Sequence, residues 1–176
     1  MTLGKFDHLT GSDLVEAISK ENELLIEKVS KLETRLIQID MKHPYLAVDV
    51  VVLVPQGIVL IERKWEPKGW ALPGGHVDYN ESCEAAAVRE MKEEISLDVT
   101  LVGQIGTYSE PSRDPRKHCV SVAFLGFANG IPVAADDAKA IMIVPNIQNL
   151  PTDLCFDHRK IIIDALAYAS TKGISL

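Results

Sequence analysis

Three glutamates lie close together in a short predicted helix near the middle of the chain. They are Glu90, Glu93 and Glu94, in the run Arg89-Glu-Met-Lys-Glu-Glu. At about 100° per residue, Glu94 and Glu93 lie about 40° and 60° on either side of Glu90, so the three carboxylates share one helix face. Such like charges repel by about 0.2–0.5 kcal/mol per pair. Converging oxygen ligands suit Mg²⁺ or Mn²⁺, so the pattern indicates a metal site, with a solvated acidic face as the alternative.

The same helix carries apolar residues away from the glutamates. On the helical wheel these residues lie between roughly 100° and 220° from Glu90. We expect this stripe to face the core and the carboxylates to face the other way. The residues of the stripe are Ala85, Val88, Met91 and Ile95.

The residues around the glutamates have the spacing of a family signature. Five residues separate Gly75 from Glu81, and seven more separate Glu81 from Arg89. This spacing resembles the Nudix box, Gly-x5-Glu-x7-Arg-Glu-U-x-Glu-Glu-x-Gly-U, where U is apolar. Ser96 stands where the box has Gly. That Gly allows a left-handed helix end, so Ser96 would strain the end of the helix, but the exchange removes no metal ligand. The matching residues are Gly75, Glu81, Arg89, Glu90, Met91, Glu93, Glu94 and Leu97.

The resemblance implies a fold and a reaction. Nudix hydrolases form an α/β/α sandwich with a mixed sheet and cleave a nucleoside diphosphate linked to another group. We therefore expect an α/β fold of this type, with Mg²⁺ or Mn²⁺ as the cofactor. The metal would neutralise the diphosphate and lower the pKa of the attacking water.

The resemblance also implies a role for each box residue. Glu90 and Glu94 would be the principal metal ligands, and Glu93 a further ligand or the general base. Glu81 and Arg89 would orient the loop and the carboxylates through hydrogen bonds. The carbonyl of Gly74 would be a backbone metal ligand. Candidates for an additional base outside the box are Glu110, Asp136 and Asp137.

A second polar patch follows the box. The run Arg113-Asp-Pro-Arg116-x-His118 resembles one in ADP-ribose pyrophosphatase-type Nudix proteins, as do Asp-Asp-Ala at 136–138 and Phe-Asp-His at 156–158. Its arginines could clamp phosphates or a ribose phosphate, or form a polar loop in which Arg113 pairs with Asp114. We expect structural roles for His76 and His158. The predicted substrate-binding residues are Arg63, Glu110, Arg113, Arg116 and His118.

The favoured substrate is ADP-ribose, which would give AMP and ribose 5-phosphate. The alternatives are hydrolysis of oxidised nucleoside triphosphates, and a non-catalytic domain that senses a nucleotide. The sequence departs from the ADP-ribose pattern in two respects. The proline that marks ADP-ribose enzymes downstream of the box is bracketed by Pro111 and Pro115 and not matched, and the Trp often found after Asp-Asp-Ala is absent.

The chain divides near residue 40. Residues 1–40 are predicted to form a helical extension and residues 41–176 the Nudix domain. Apolar residues of the extension recur at alternating spacings of three and four, which is a heptad pattern. Position a holds Val15, Asn22, Val29 and Leu36, and position d holds Ile18, Leu25, Leu32 and Ile39.

This heptad favours a parallel coiled-coil homodimer. β-Branched residues at a and Leu at d favour two strands, and the single Asn22 would fix the register. Lys28 would face Glu33 of the partner helix, and Arg35 would face Asp40. The alternative is an amphipathic helix packed on its own domain, which the apolar residues outside the seam support: Leu24, Ile26 and Ile37.

After residue 40 the predicted strands and helices are mixed without strict alternation, which favours an α/β sandwich over a doubly wound sheet. Predicted strands are 45–54, 58–65, 70–72, 97–109, 117–127 and 141–144, and predicted helices are 81–95 and 157–170.

Composition limits the partners. The 176 residues include 25 acidic and 18 basic side chains, and the net charge of −7 argues against a nucleic-acid polymer as partner. We find no segment of the roughly 18 apolar residues that a membrane span needs, and no signal peptide. Three scattered cysteines indicate a reducing cytoplasm. We expect a cytoplasmic protein with a small nucleotide substrate and no membrane partner.

Overall fold

The computed structural model of the chain describes residues 10–40 and 43–174, and the side chains of all of these except residues 37–40. It divides into two units, residues 1–43 and residues 44–176. The first unit contains one helix of 30 residues, α1 (Gly11–Asp40). The predicted heptad residue Ile39 and the predicted partner charge Asp40 lie outside the described side chains.

The apolar seam of α1 is exposed. Its six described apolar side chains at positions a and d are 44–70% exposed, and Asn22 is exposed as well. Two intrahelical ion pairs, Glu16–Lys20 and Glu27–Lys31, lie at heptad positions b, c and f on the opposite face.

A mixed sheet forms the centre of the second unit. In the described residues it has seven strands, with the order β3-β2-β1-β6-β5, while β4 pairs with β1 and β7 pairs with β2. Only the β1–β6 pair is parallel among these pairs. The strands are β1 (Tyr45–Val54), β2 (Gly57–Arg63), β3 (Trp70–Ala71), β4 (Gly74–His76), β5 (Thr100–Tyr108), β6 (Cys119–Phe127) and β7 (Ala138–Val144).

One helix covers each face of the sheet. Side chains alternate between the two faces of a strand, and β1 shows the result. Val48, Val50 and Val52 pack in the cluster that contains residues of α2 (Cys83–Ile95). Val51 and Leu53 pack in the cluster that contains residues of α3 (His158–Thr171). The predicted α/β/α sandwich with a mixed sheet is therefore confirmed.

Several element boundaries differ from the prediction. The helix predicted to begin at Glu81 begins at Cys83, because Ser82 is its N-cap and its hydroxyl accepts a hydrogen bond from the Ala85 N–H at 3.1 Å. Residues 74–76, for which no strand was predicted, form β4 because they pair with Ala47–Asp49 of β1. The last strand begins at Ala138 instead of Ile141, since it pairs with β2 as far as Arg63.

The core-facing stripe predicted for α2 is only half right, because Met91 and Ile95 are buried as expected but Ala85 and Val88 are not. The buried residues of α2 are Ala86, Ala87, Met91, Glu94 and Ile95. Val88 is 42% exposed and Ala85 is exposed as well, although both were expected in the core. The small Ala86 and Ala87 allow this face to approach the sheet closely. One carboxylate, that of Glu94, therefore lies on the buried face of the helix.

Candidate active site

Arg89 joins three of the glutamates through its guanidinium. Its Nε and Nη2 donate to the two carboxylate oxygens of Glu81 at 2.9 and 2.8 Å. Its Nη1 donates to Glu90 Oε1 at 2.8 Å and to Glu93 Oε2 at 3.0 Å. Nη2 also donates to the carbonyl of His76 in β4 at 3.0 Å. These bonds hold the pKa of Glu81 down at about 2, so this carboxylate is ionised at neutral pH.

Glu94 has a different environment from the other glutamates. Its carboxylate accepts a hydrogen bond from the Gly74 N–H at 2.8 Å, and the residue is only 5% exposed. The pKa of Glu94 is raised to about 8, mainly by burial and also by the negative charges of Glu90 and Asp137, while the Gly74 bond acts in the opposite direction. Burial also raises the pKa of Glu90. These two carboxylates therefore lie where a positive charge would be stabilising.

Two glycines allow the backbone to approach the carboxylates. A Cβ on Gly75 would collide with the carboxylate of Glu90, and a Cβ on Gly74 would collide with the carbonyl of Val48 in β1. Both positions require Gly for space. The pairing of β4 with β1 thus places the backbone of residues 74–75 directly against Glu90 and Glu94.

A cavity of about 290 Å³ opens beside Glu94 and Gly74. Its wall combines acidic, basic and aromatic groups, so it offers oxygen ligands on one side and cations on the other. Among the residues that line the cavity are Arg63, Trp65, Glu94, Arg116, Asp137 and Phe156.

Two arginines of the cavity flank one aromatic ring. The guanidinium carbon of Arg63 lies 5.0 Å from the ring centroid of Phe156, and that of Arg116 lies 5.5 Å from it. Arg63 Nε donates to the Pro67 carbonyl at 2.9 Å. Arg116 Nη2 donates to Asp114 at 2.7 Å. Both guanidiniums are therefore held in place at the cavity wall.

A buried polar network forms part of the cavity wall. Asp49 of β1 accepts from Ser121 Oγ at 2.5 Å and from Arg113 Nη2 at 3.1 Å, and Arg113 also donates to Asp157 at 2.7 Å. His158 Nε2 lies 3.3 Å from the other oxygen of Asp49. The network connects β1, β6 and the start of α3.

The three glutamates of α2 do not form a ready-made metal site. Among residues 10–40 and 43–174, no group of three or more His, Cys, Asp or Glu side chains is arranged to hold a metal ion. Arg89 Nη1 donates hydrogen bonds to one carboxylate oxygen of Glu90 and to one of Glu93, so these two oxygens already have a partner.

The protein-family model of the NUDIX domain matches residues 43–165 of this chain, which is most of the second unit. The chain belongs to the NUDIX domain family. This confirms the family predicted from the Gly75–Leu97 signature.

This NUDIX chain is similar to an archaeal enzyme and to a bacterial protein of known structure. It is 45% identical over 129 residues to an ADP-ribose pyrophosphatase of Methanocaldococcus jannaschii, covering 72% of this chain and 75% of that protein. It resembles the structure of a MutT/nudix family protein from Enterococcus faecalis, with a TM-score of 0.66 and 32% identity, over 74% of this chain and 63% of that one.

A third relative was solved with a ligand. The NUDIX domain of Shewanella oneidensis NrtR, in complex with ADP ribose, matches with a TM-score of 0.62 and 25% identity. The match covers 72% of this chain and 89% of that one. The chain thus spans less than two thirds of the Enterococcus protein, but most of this ligand-bound domain.

The NUDIX cavity gathers only part of the predicted substrate-binding set. Arg63 and Arg116 line it, together with Gly74 and Glu94 of the predicted metal set. His118 and Glu110 are exposed and do not belong to its lining residues. Of the candidate bases, Asp137 lines the cavity and Asp136 does not.

Arg113 differs from its prediction. It also lines the cavity, but its side chain is buried and its Nε and Nη2 donate to Asp157 and Asp49. These contacts do not favour a phosphate clamp, because a phosphate would have to displace buried carboxylates. The alternative pairing of Arg113 with Asp114 is also wrong, since Asp114 bonds to Arg116. The contacts of His158 agree with its predicted structural role.

Sequence reasoning missed three residues at this cavity: Asp49, Trp65 and Phe156. Asp49 had a signal, because it is the single charged residue in the Val-rich strand β1. Trp65 had no comparable signal, whereas Phe156 belongs to the Phe-Asp-His run at 156–158 that resembles ADP-ribose pyrophosphatase-type Nudix proteins. Finally, no helix in the described ranges has the length and apolar character needed to cross a membrane.

Proposed function

We propose that the chain hydrolyses ADP-ribose to AMP and ribose 5-phosphate with Mg²⁺ or Mn²⁺. The observation that carries this proposal is the cavity that joins the carboxylate of Glu94 to the cations Arg63 and Arg116. An anionic diphosphate needs positive groups along its length, and an acidic protein face needs a metal ion to approach it. The identity to the Methanocaldococcus pyrophosphatase and the ligand of the Shewanella domain favour ADP-ribose.

The residues present fit a divalent cation. Glu90 and Glu94 offer hard oxygen ligands, and burial raises the pKa of both in the absence of a positive charge. Glu93 and the Gly74 carbonyl are the further donors that we propose. When bound, the metal would supply charge neutralisation of the diphosphate and a lowered pKa of water.

The chain's own residues bind and orient the substrate in this proposal. Arg63 and Arg116 hold the diphosphate or the ribose phosphate, and Arg89 with Glu81 holds Glu90 and Glu93 in place. We propose Glu93, whose side chain is 45% exposed, as the general base that takes a proton from water. The exposed ring of Trp65 offers a flat surface at the cavity.

A paired substrate assay tests this function. The full chain is supplied with Mg²⁺ and either ADP-ribose or 8-oxo-dGTP, and products are separated by ion-exchange chromatography. We expect a higher kcat/KM for ADP-ribose, with AMP as a product. A higher kcat/KM for 8-oxo-dGTP would favour triphosphate hydrolysis instead.

One observation favours the alternative of a nucleotide sensor. The Shewanella NUDIX domain, which this chain resembles, was solved in complex with ADP ribose. A chain that binds ADP-ribose in calorimetry yet hydrolyses neither substrate with Mg²⁺ or Mn²⁺ would support this alternative.

We further propose that the chain is a homodimer through α1. The exposed seam matches a two-stranded heptad, and the intrahelical ion pairs lie on the opposite face. In the described part of the chain, Lys28 and Glu33 form no ion pair within their own helix. Their heptad positions, g and e, would place them opposite each other in a parallel pair.

Two neighbouring leucines give a matched test of the dimer. Leu25 lies on the seam at position d. Leu24 is its neighbour in the sequence but lies at position c, outside the seam, and both side chains are about half exposed. Light scattering after size exclusion should give a dimer for the full chain and for Leu24→Glu, and a monomer for Leu25→Glu. A monomeric full chain would contradict the dimer and favour a helix packed on its own domain.

We also propose a cytoplasmic location. All three cysteines are free thiols, and Cys119 and Cys155 are buried. Unpaired buried thiols are typical of proteins in a reducing compartment. Fractionation of cells that express the tagged chain tests this proposal, and enrichment outside the cytosolic fraction would contradict it.

A further inference from the structure

The start of α3 is connected to the segment that carries Gly74. His158, the first residue of α3, is buried, and its Nδ1 accepts a hydrogen bond from the Leu72 N–H at 2.8 Å. Leu72 lies two residues before Gly74, in the short connection between β3 and β4. The Gly74 N–H in turn donates to Glu94 at 2.8 Å.

The second nitrogen of His158 has a defined partner as well. Because Nδ1 accepts from Leu72, the ring proton lies on Nε2, which faces Asp49 Oδ1 at 3.3 Å. Asp49 is fixed from its other side by Ser121 and Arg113. The ring of His158 is therefore bonded on both edges and has little freedom to rotate.

The same strand, β1, anchors both ends of this connection. Asp49 pairs with Gly74 in the β1–β4 ladder, and the neighbouring Val50 N–H donates to the Pro73 carbonyl at 3.0 Å. The bond from Leu72 to His158 adds a third attachment just before Pro73. Together these contacts fix the direction in which the Gly74 N–H points.

We propose that His158 is a positioning residue that holds residues 72–75 so that the Gly74 N–H bonds to Glu94. The inference rests on the proposed function only in giving Glu94 a role in metal binding. The ring of His158 lies against Phe156, with centroids 5.1 Å apart, so it also joins this segment to the cavity wall.

Substitutions at His158 separate positioning from bulk packing. The amide oxygen of Asn lies close to the position of Nδ1 and can accept from Leu72, the amide nitrogen of Gln lies close to the position of Nε2 and can donate to Asp49, and Leu offers neither. Backbone amide exchange, measured by mass spectrometry, reports on residues 72–75 without any substrate. The affinity for Mn²⁺, measured by electron paramagnetic resonance of the free ion, reports on Glu94.

We expect His158→Leu to accelerate exchange of the Leu72 and Gly74 amides at least tenfold and to weaken Mn²⁺ binding several-fold. His158→Asn should retain much of both the slow exchange and the Mn²⁺ affinity, and His158→Gln should not. The matched control is Asp164→Asn on the same helix, which removes the charge that pairs with Lys160. That control should leave both readouts unchanged.

Three outcomes would overturn the proposal. These are unchanged exchange at residues 72–75 in His158→Leu, a defect in His158→Asn as large as that in His158→Gln, or the same local change in Asp164→Asn. If His158→Leu does not fold, the Gln–Asn comparison still decides. Because neither readout needs ADP-ribose, a chain that lacks the proposed activity would leave this test intact.

Discussion

Two arginines in this molecule are each surrounded by carboxylates, with different consequences. Arg89 contacts Glu81, Glu90 and Glu93, and its side chain is 28% exposed. Arg113 contacts Asp49 and Asp157, and its side chain is 4% exposed. We call these groups the Arg89 cluster and the Arg113 cluster.

The two clusters differ in charge balance and in spare hydrogen-bonding capacity. The Arg89 cluster has three carboxylates for one cation, and the carboxylate of Glu94 lies next to it. The Arg113 cluster has two carboxylates for one cation, and Ser121 and His158 provide further donors to Asp49. An acidic cluster that is partly exposed can accept a cation. A buried cluster whose carboxylates receive several hydrogen bonds holds elements of the fold together.

The largest effect that we expect is a loss of stability in the Arg113 cluster. Arg113→Met leaves two carboxylates without their cation, and such a change typically costs about 3–5 kcal/mol. Urea denaturation should show this loss, whereas Arg89→Met should cost less because its partners can be solvated. The reverse ranking of the two variants would break the comparison.

The next effect concerns activity. Glu94→Gln removes the buried charge that we propose as a metal ligand, and we expect kcat for ADP-ribose to fall by about 10²-fold or more with the fold intact. Glu84→Gln, an exposed acid on the same helix, is the matched control and should retain kcat. Retained activity in Glu94→Gln would refute the metal assignment.

The pH dependence of stability sharpens the contrast. The pKa of Glu94 is about 8 in the folded chain, above its ordinary value near 4.5. Its protonated form therefore stabilises the fold fully below pH 4.5, and this contribution is lost as the pH rises toward 8, by at most about 1.4 kcal/mol per pH unit.

Metal-free denaturation at several pH values measures this effect. The difference in unfolding free energy between the parent chain and Glu94→Gln should change over the window from about pH 4.5 to 8. Saturating Mg²⁺ should reduce that change. A difference that is constant with pH would mean that Glu94 does not titrate in this window.

The smallest effect concerns the end of α2, outside both clusters. Ser96 has a left-handed conformation, with φ 56° and ψ 30°, where Gly has no steric penalty. Ser96→Gly should raise the unfolding free energy by about 1 kcal/mol. Its kcat should stay unchanged, and a fall in kcat would show that the helix end influences the Arg89 cluster.

Part of the molecule follows directly from the sequence. The spacing from Gly75 to Leu97 predicts the family, because all of its positions lie along one loop and one helix. The resemblance to that family then implies the fold and the hydrogen-bonding roles of Arg89 and Glu81. The left-handed Ser96 was also predictable, since it occupies the Gly position of the signature.

Tertiary packing decided the rest. Helical periodicity places Val88 in the apolar stripe, but the small Ala86 and Ala87 turn a different face of α2 to the sheet and bury Glu94. Nothing in the Arg-Asp-Pro-Arg run shows that Arg113 bonds to residues 64 and 44 positions away. Long-range pairs of this kind require the sheet register.

The central claim is that the acidic cluster of α2 supports metal-dependent cleavage of ADP-ribose. The most direct measurement is the initial rate of AMP formation from ADP-ribose by the full chain, with Mg²⁺ titrated from zero to saturation. We predict a saturable dependence on Mg²⁺, with ribose 5-phosphate formed in equal amount. An absence of AMP at every Mg²⁺ concentration, or the same rate with the metal chelated, would contradict the claim.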